Sequence, residues 1–567
     1  MTRRTKRAAA ANKGERWYQS NLALSLISGL LLWAAFPPVG LAPLAWIAPL
    51  GWLVLVRRAS LPGRRPYRAI WLGSALHWLA MLVGITFAHP LNLLGWLALC
   101  FYLAFYVPLF VGLTRAAVHK LRVPLILAAP IVWTGLELLR GHLFTGFSLA
   151  LLGHSQFEWT ALIQLSDFLG AYGVSFLVMF VAACLTSGLP LTDGVNHGRR
   201  SRRRLWPVLW AAPAIVAALA YGNYAGGRSL SDGTLKVALI QKSFNTRFEL
   251  DLNRNLEIFR EYRDLTLATC EKHPDLDMIV WPESVFTANS PELIVQDPQP
   301  GDDPSKAEKM AEYSELFRAR VQDAAQGLNR VWSETSPQSS QIFLLVGTET
   351  YIEGRNPRQH NTALLITPCG DIRNRYYKMH PVMFGEYIPL ANLFPWIYRL
   401  TPLPRGLTPG ERPFCFDVKG VRMTPSICFE STVPHLIRRQ VARLEREGTP
   451  PDVLVNISHD GWFWGSSILD FQLACAVFRS IELRKPFLVA ANAGISAWID
   501  EDGRIRKRGP RQGEAAIIAS VGATSRSSWY TSYGDIPAGI CLLACVGLTL
   551  FVCLRFMNTV REHGAKD

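Results

Sequence analysis

The stretch "MTPSICFES", Met423–Ser431, sets Cys428 at the end of a short apolar run and two residues before Glu430. A short apolar run of this kind has the form of a buried strand. A cysteine there is ordinarily an inert core residue, and the chain has ten of them. Cys428 gains a chemical meaning only from segments further away. "MIVWPES" (278–284) closes another apolar run with Glu283, and "RYYKMHPVMFGEYIPL" (375–390) supplies Lys378 and Glu386. A cysteine that carries an acyl group needs a base for its proton, because the thiolate is the nucleophile. It also needs a positive group for the oxyanion and a second acid/base for the attacking and leaving groups. Singly, a glutamate after a strand is a solvated turn residue and a lysine is a surface residue. The order Glu283, Lys378, Cys428, each at a strand end, is the signal.

Around these segments, strand-like runs alternate with helical ones. "LKVALIQ" (235–241), "QIFLLVGTET" (341–350), "NTALLITP" (361–368), "DVLVNIS" (452–458) and "FLVAANAG" (487–494) have strand character. "LDLNRNLEIFREYRDLTLATCEK" (250–272) has helical spacing through Leu252, Leu256, Phe259, Tyr262 and Leu265, and "FQLACAVFRSIELRK" (471–485) reads as an amphipathic helix. This alternation predicts a layered α/β domain. Residues 287–340 break it with a long polar segment, read as a solvated insertion or a lid.

The rest of the chain is apolar. Runs at 21–38, 41–56, 69–88, 91–113, 123–139, 160–187, 205–222 and 536–554 reach or approach the ~20 residues that cross a bilayer as a helix. They predict a polytopic α-helical membrane domain of about eight spans, those at 41–56 and 123–139 being the weakest. The first run reads as a span and not as a cleaved signal, because further spans follow it. The formal charge of +15 resembles a nucleic-acid footprint only until its distribution is read. Arg3, Arg4, Lys6, Arg7, Lys13 and Arg16 precede the first run; Arg57, Arg58, Arg64, Arg65 and Arg68 follow the second. Arg115, Lys120 and Arg122 follow the fourth, and Arg199, Arg200, Arg202, Arg203 and Arg204 follow the sixth, while the intervening loops are nearly free of basic residues. That alternation is the positive-inside pattern. No nucleic-acid partner is expected.

The resulting division is a basic cytoplasmic N-terminus (1–20), seven membrane helices (21–225), an extracytoplasmic α/β domain (226–535), an eighth helix (536–554) and a cytoplasmic tail (555–567). Five cysteines fall in the outer domain, so at least one thiol stays free there. With no CxxC or Cys/His cluster at ligand spacing, neither a metal nor a cofactor is expected. Adjacent residues of a strand point to opposite faces, which argues against a working His459–Asp460 pair. His142 and His154 are expected at the membrane surface. Trp462 and Phe463 in "GWFWG" are read as aromatic residues near the pocket.

The ordered set "VWPES", "YYK…FGEYIP", "ICFE", "NISHDGWF" and "NAGISAWIDEDG" resembles the carbon–nitrogen hydrolase (nitrilase) superfamily. With the membrane frame and its segments "LRGHLFTGFSLALLGHSQF" and "LGAYGVSFLV", it resembles the apolipoprotein N-acyltransferase branch. The resemblance implies a nitrilase-like α-β-β-α sandwich with Glu283 as general base, Lys378 as oxyanion stabiliser and Cys428 as nucleophile. It makes Glu386 a second glutamate near the site and Glu430 a pocket residue. The implied reaction is ping-pong: a phospholipid acylates Cys428, and the thioester passes to the α-amine of an S-diacylglyceryl-cysteine apolipoprotein. It implies the bacterial inner membrane, with the catalytic domain periplasmic and both termini cytoplasmic. Departures from the family pattern are "KMHPVMFGE" after Lys378, Phe429 in place of a tyrosine, "SHD" at His459 and "GFSL" in the membrane loop. The alternatives are a membrane-tethered amidase and a non-catalytic lipoprotein-binding scaffold; the intact Glu-Lys-Cys set weighs against the scaffold.

Overall fold

The computed structural model describes residues 17–87, 89–190, 206–226, 233–246, 251–296, 304–335, 341–391, 393–400 and 406–564. The basic segments Arg3–Arg16 and Arg199–Arg204 therefore lie outside the described residues.

Each of the eight apolar runs contains helix among the described residues, with turns interrupting runs such as 21–38 and 41–56. Among the described residues four helices are long and apolar enough to cross a membrane: Asn92–His119, Ser166–Gly188, Val208–Ala225 and Ile536–Asn558. By length and composition the expectation of eight crossings is not reached. Asn21–Ala35 has 15 residues, Leu50–Arg57 has 8 and Pro66–Met81 has 16, all below the ~20 that span the hydrocarbon. The apolar exterior of these helices, with Leu30, Leu94, Leu543 and Phe556 exposed, suits lipid and not water.

Helix Leu125–His142 carries Glu137 and Arg140, both turned inward. Glu137 accepts from the Leu152 amide at 2.8 Å, Arg140 donates to the Leu149 carbonyl at 3.2 Å, and its guanidinium lies 5.1 Å from the Trp78 ring. Charged groups at membrane depth survive by facing the bundle interior in this way. Gly170 breaks helix Ser166–Gly188 with φ +66°, and a Cβ there would stand 2.6 Å from the Tyr530 ring. Only glycine suits both demands.

The outer domain is a two-sheet sandwich. Its strands are β1 (Leu235–Gln241), β2 (Met278–Val280), β3 (Glu292–Val295), β4 (Phe343–Glu353), β5 (Arg358–Ile366), β6 (Ile372–Tyr377), β7 (Phe416–Val418), β8 (Val421–Ile427), β9 (Val453–His459), β10 (Phe487–Asn492), β11 (Ala497–Ile499), β12 (Ile505–Arg508) and β13 (Ala515–Val521). One sheet runs β13-β1-β2-β4-β5-β6 with β3 beside β4; the other runs β12-β11-β10-β9-β8-β7. β1 shows why two layers form. Val237 and Leu239 enter the core between the sheets, with Ile427, Val455 and Leu488, while Ala238 and Ile240 face helices on the other side. The period of two buries both faces.

Helix Leu252–Lys272 covers the first sheet, capped by Asp251, whose carboxylate accepts from the Asn253 and Arg254 amides. The segment read as insertion or lid belongs to this layer. Helix Pro304–Thr335 seats Phe317, Val321, Ala325 and Leu328 against the sheet, and β3 joins β4. Its apolar stripe is narrow and hidden among charges, so its overall polarity misleads.

Helices Pro434–Arg446 and Ile468–Leu483 cover the second sheet, and their far side meets the membrane portion. Leu469, Leu473, Val477 and Ile481 share one core with Leu138, Phe157, Ile163 and Ala171. Polar ties reinforce it: Glu482 accepts from the Ala171 amide at 2.8 Å, and Arg484 donates to Gln164 at 2.6 Å and to Asp502 at 2.9 Å. His154 lies here too, 1 % exposed and against the Phe478 ring. The expectation that it sits at the membrane surface is corrected, because the outer domain covers it.

Candidate active site

The parallel strands deliver their C-terminal ends to one place, where α/β folds collect functional groups. Glu283 follows β2, Lys378 follows β6, Cys428 follows β8 and His459 ends β9. Cys428 has φ +54°, in the left-handed region that a non-glycine residue occupies at a cost. The kink turns a strand into the short helical turn Cys428–Thr432 and leaves Cys428 half-buried at its corner.

Glu283 is 5 % exposed and fully engaged. Its Oε1 accepts from Asn361 Nδ2 at 2.6 Å and Lys378 Nζ at 3.3 Å, and its Oε2 accepts from the His459 amide at 2.8 Å. Lys378, 1 % exposed, also donates to Glu386 Oε1 at 2.6 Å, while Glu386 Oε2 accepts from the Val382 amide at 2.7 Å. Burial pushes the Glu283 carboxyl up, but the charges of Lys378 and His459, with the donors around it, outweigh burial and hold it below its usual range. For Lys378, burial works against the ammonium, yet Glu283 and Glu386 hold it well above its ordinary value. The Cys428 thiol is pushed well up, first by burial and then by the Glu283 charge, with Lys378 opposing. The resting site thus pairs a carboxylate and an ammonium beside an undissociated thiol. It can move a proton to the carboxylate and hold negative charge against the ammonium.

Glu430 does not line a pocket. It is 0 % exposed, and its oxygens accept from the amides of Ile427 (2.7 Å), Met379 (2.7 Å) and His380 (2.9 Å) and from the Tyr376 hydroxyl (2.9 Å). It ties the Cys428 turn to the chain just after Lys378. Phe429 lies parallel to the His380 ring at 6.4 Å and packs on the membrane core. Phe463 bridges the membrane core and the core under the second sheet, and Trp462 is half-buried in the same turn. His459 and Asp460 point apart. The His459 ring accepts from the Gly461 amide at 3.3 Å, while Asp460 accepts from Ser458 Oγ at 2.6 Å and is pushed up to about 7 by burial.

Two contributors escaped the sequence. Asn361 on β5 and Tyr376 on β6 are ordinary strand residues by pattern, and only strand register brings them under Glu283 and Glu430.

Beside the site an open cleft of about 750 Å³ has one wall from Met379, His380 and Tyr387, and another from His142, Phe144 and Thr145 of the membrane portion. Its lining is mixed, with His380, Tyr387 and Thr408 beside Phe144 (75 % exposed) and Leu390 (64 % exposed); Phe384, Leu393 and Trp396 are exposed in the adjoining loop.

Residues 28–184 match the apolipoprotein N-acyltransferase N-terminal domain, and residues 236–530 match the carbon-nitrogen hydrolase family. A relative from Rhodopirellula baltica, named apolipoprotein N-acyltransferase, is 31% identical over 548 residues, covering 93% of this chain and 95% of its own. One of the same name from Geobacter metallireducens is 29% identical over 551 residues, covering 95% and 96%. Among solved structures, an amidase from Nesterenkonia sp. aligns with 52% of this chain and 93% of its own, at 16% identity and a TM-score of 0.33. With both halves matched, and matched over nearly the full length of named relatives, the chain belongs to the apolipoprotein N-acyltransferase family.

Proposed function

We propose that this membrane protein moves an acyl chain from a phospholipid to the α-amine of an S-diacylglyceryl-cysteine at a lipoprotein N-terminus, through a thioester on Cys428. The observation that carries this reading is the convergence of Glu283, Lys378 and Cys428 beside a cleft with one wall from the membrane portion. Glu283 takes the thiol proton, and the thiolate attacks the ester carbonyl of the lipid. The oxyanion forms against Lys378, which Glu386 holds from the other side. Collapse releases the lysophospholipid alkoxide, which recovers the proton from Glu283. The incoming amine then attacks the thioester and gives its proton to Glu283. Amide formation expels the thiolate, which is reprotonated.

Glu430, Asn361 and Tyr376 are positioning residues in this scheme, holding the Cys428 turn, Glu283 and the Lys378 loop in register. Phe429, Trp462 and Phe463 serve as the apolar floor towards the bilayer. The exposed apolar side chains at and beside the cleft, Phe144, Leu390, Phe384, Leu393 and Trp396, support a lipid substrate, and water kept from a thioester favours transfer over hydrolysis. The charge pattern supports about eight crossings, a cytoplasmic N-terminus and C-terminus, and a catalytic domain on the periplasmic face of a bacterial inner membrane.

The test is incubation with phospholipid labelled in its acyl chain. Wild-type protein forms a hydroxylamine-sensitive adduct and passes the label to a diacylglyceryl-cysteine peptide; Cys428→Ala does neither. Transfer at the normal rate by Cys428→Ala, or ammonia release from a simple amide with no transfer, overturns the proposal.

A further inference from the structure

The cleft ends at a group of side chains that acyl transfer does not use. His142 closes helix Leu125–His142, His435 stands in the first turn of helix Pro434–Arg446, and Asp535 immediately precedes helix Ile536–Gly564. One donor atom from each lies within 4.8 Å of the others. The two imidazole rings stack with centroids 4.1 Å apart and planes 23° apart.

The surroundings fix the tautomer of one ring and the free oxygen of the carboxylate, while the stacked ring planes must splay for both nitrogen lone pairs to converge on one ion. His142 Nδ1 is 3.0 Å from the Leu138 carbonyl, which can only accept. Nδ1 therefore carries the hydrogen, and Nε2 keeps a free lone pair. Asp535 Oδ1 accepts from the Tyr530 hydroxyl at 2.7 Å, leaving Oδ2 for another partner. His435 Nδ1 is buried with no hydrogen-bond partner, an omission that costs about 1–3 kcal/mol unless something fills it. An imidazole tied to a carbonyl and a carboxylate tied to a hydroxyl are the outer-shell contacts that fix ligands around a metal.

We propose that His142, His435 and Asp535 bind one first-row divalent cation, with Zn²⁺ favoured, clamping a membrane helix, a sandwich helix and the returning C-terminal helix together. Two imidazoles and a carboxylate are a borderline donor set suited to zinc, cobalt or nickel. The positive groups Arg439 and Arg479 also act on His435, and Arg438 lies against Gly534. An ion held by charge alone is repelled there, so the site depends on imidazole coordination and discriminates against Mg²⁺ and Ca²⁺. Bonds of about 2.0–2.1 Å at tetrahedral angles bring ligand atoms to roughly 3.4 Å of one another. The group therefore contracts on binding, and exposed His142, at a helix end, has room to move. His142 and His435 both line the cleft, so the remaining coordination position opens towards it and takes water. The expectation of no metal rested on ligand spacing in sequence, which cannot register three ligands on widely separated elements.

The test uses full-length protein in detergent micelles, stripped with a chelator and titrated with Co²⁺. The expected result is one Co²⁺ per chain with a visible ligand-field spectrum, displaced by Zn²⁺ and untouched by excess Mg²⁺ or Ca²⁺. His435→Ala and Asp535→Asn each weaken binding by about tenfold or more, and Zn²⁺ raises the melting temperature of the wild type but not of His142→Gln. If His435→Ala lowers the melting temperature of the metal-free protein, His142→Gln, altered at an exposed position, decides the matter through the same titration. A wild type with no Co²⁺ spectrum, or a His142→Gln protein that binds Co²⁺ as the wild type does, overturns the proposal.

Discussion

In a Glu283→Gln protein, the side-chain oxygen can still accept from Asn361 and Lys378, but the new amide nitrogen faces the His459 N–H. One buried donor loses its acceptor, which lowers stability by about 1–3 kcal/mol. In the proposed mechanism the proton acceptor is also gone, and loss of a general base slows the step it serves by roughly 10²–10⁴-fold. The thiol moves the other way. The Glu283 charge helps push Cys428 up, so neutralising it lowers the thiol pKa and enlarges the thiolate fraction at any fixed pH near neutrality. The variant therefore alkylates faster at Cys428 while acylating more slowly. Iodoacetamide labelling followed by peptide mass spectrometry reads the first quantity, and single-turnover formation of the labelled adduct reads the second. Buried Cys270 serves as the internal control, since its labelling reports unfolding. Slower alkylation together with an unchanged acylation rate would refute the assignment of Glu283 as the base.

Glu430→Gln leaves about two of four buried donors without an acceptor, and a loss of roughly 2–5 kcal/mol is expected in a denaturant midpoint. Its adduct formation slows, with little change in the lipid concentration for half-maximal rate, because the turn carrying Cys428 is displaced. Gly170→Ala places a Cβ against the Tyr530 ring in a left-handed backbone, lowering the melting temperature by the equivalent of about 1–3 kcal/mol. The pH response follows from the depressed Glu283 carboxyl. Its contribution to stability is complete above the ordinary carboxylate range and is lost as pH falls through the lower folded value. Melting temperature should drop on acidification in the wild type and drop less steeply in Glu283→Gln.

The strand ends at Glu283 and Cys428 were legible because each follows a short apolar run, whereas Lys378 follows the charged strand Ile372–Tyr377, which composition does not mark and only the surrounding motif does. What register supplies was not. Asn361 stands opposite Glu349 across a strand pair and reaches Glu283 only after the sheet forms. Helix Pro304–Thr335 was misread because four apolar contacts suffice to seat a helix whose remaining surface is charged. Four of the apolar runs give helices of spanning length among the described residues; apolar composition reports burial but not length, and helices such as Pro66–Met81 end early. Burial of His154 likewise depends on the outer domain settling over it.

The shared core between helix Ile468–Leu483 and the membrane portion bears on how such a chain can change over generations. A sandwich cut free at its borders would present Leu469, Leu473 and Val477 to solvent and leave Arg484 without Gln164. The two halves are therefore not interchangeable modules. Exchanging the outer half between distant relatives breaks this seam unless residues such as Leu138, Gln164 and Ala171 travel with it. A chimera joined near residue 230 should accumulate as aggregate, and one that also carries the donor's 138–171 segment should assemble.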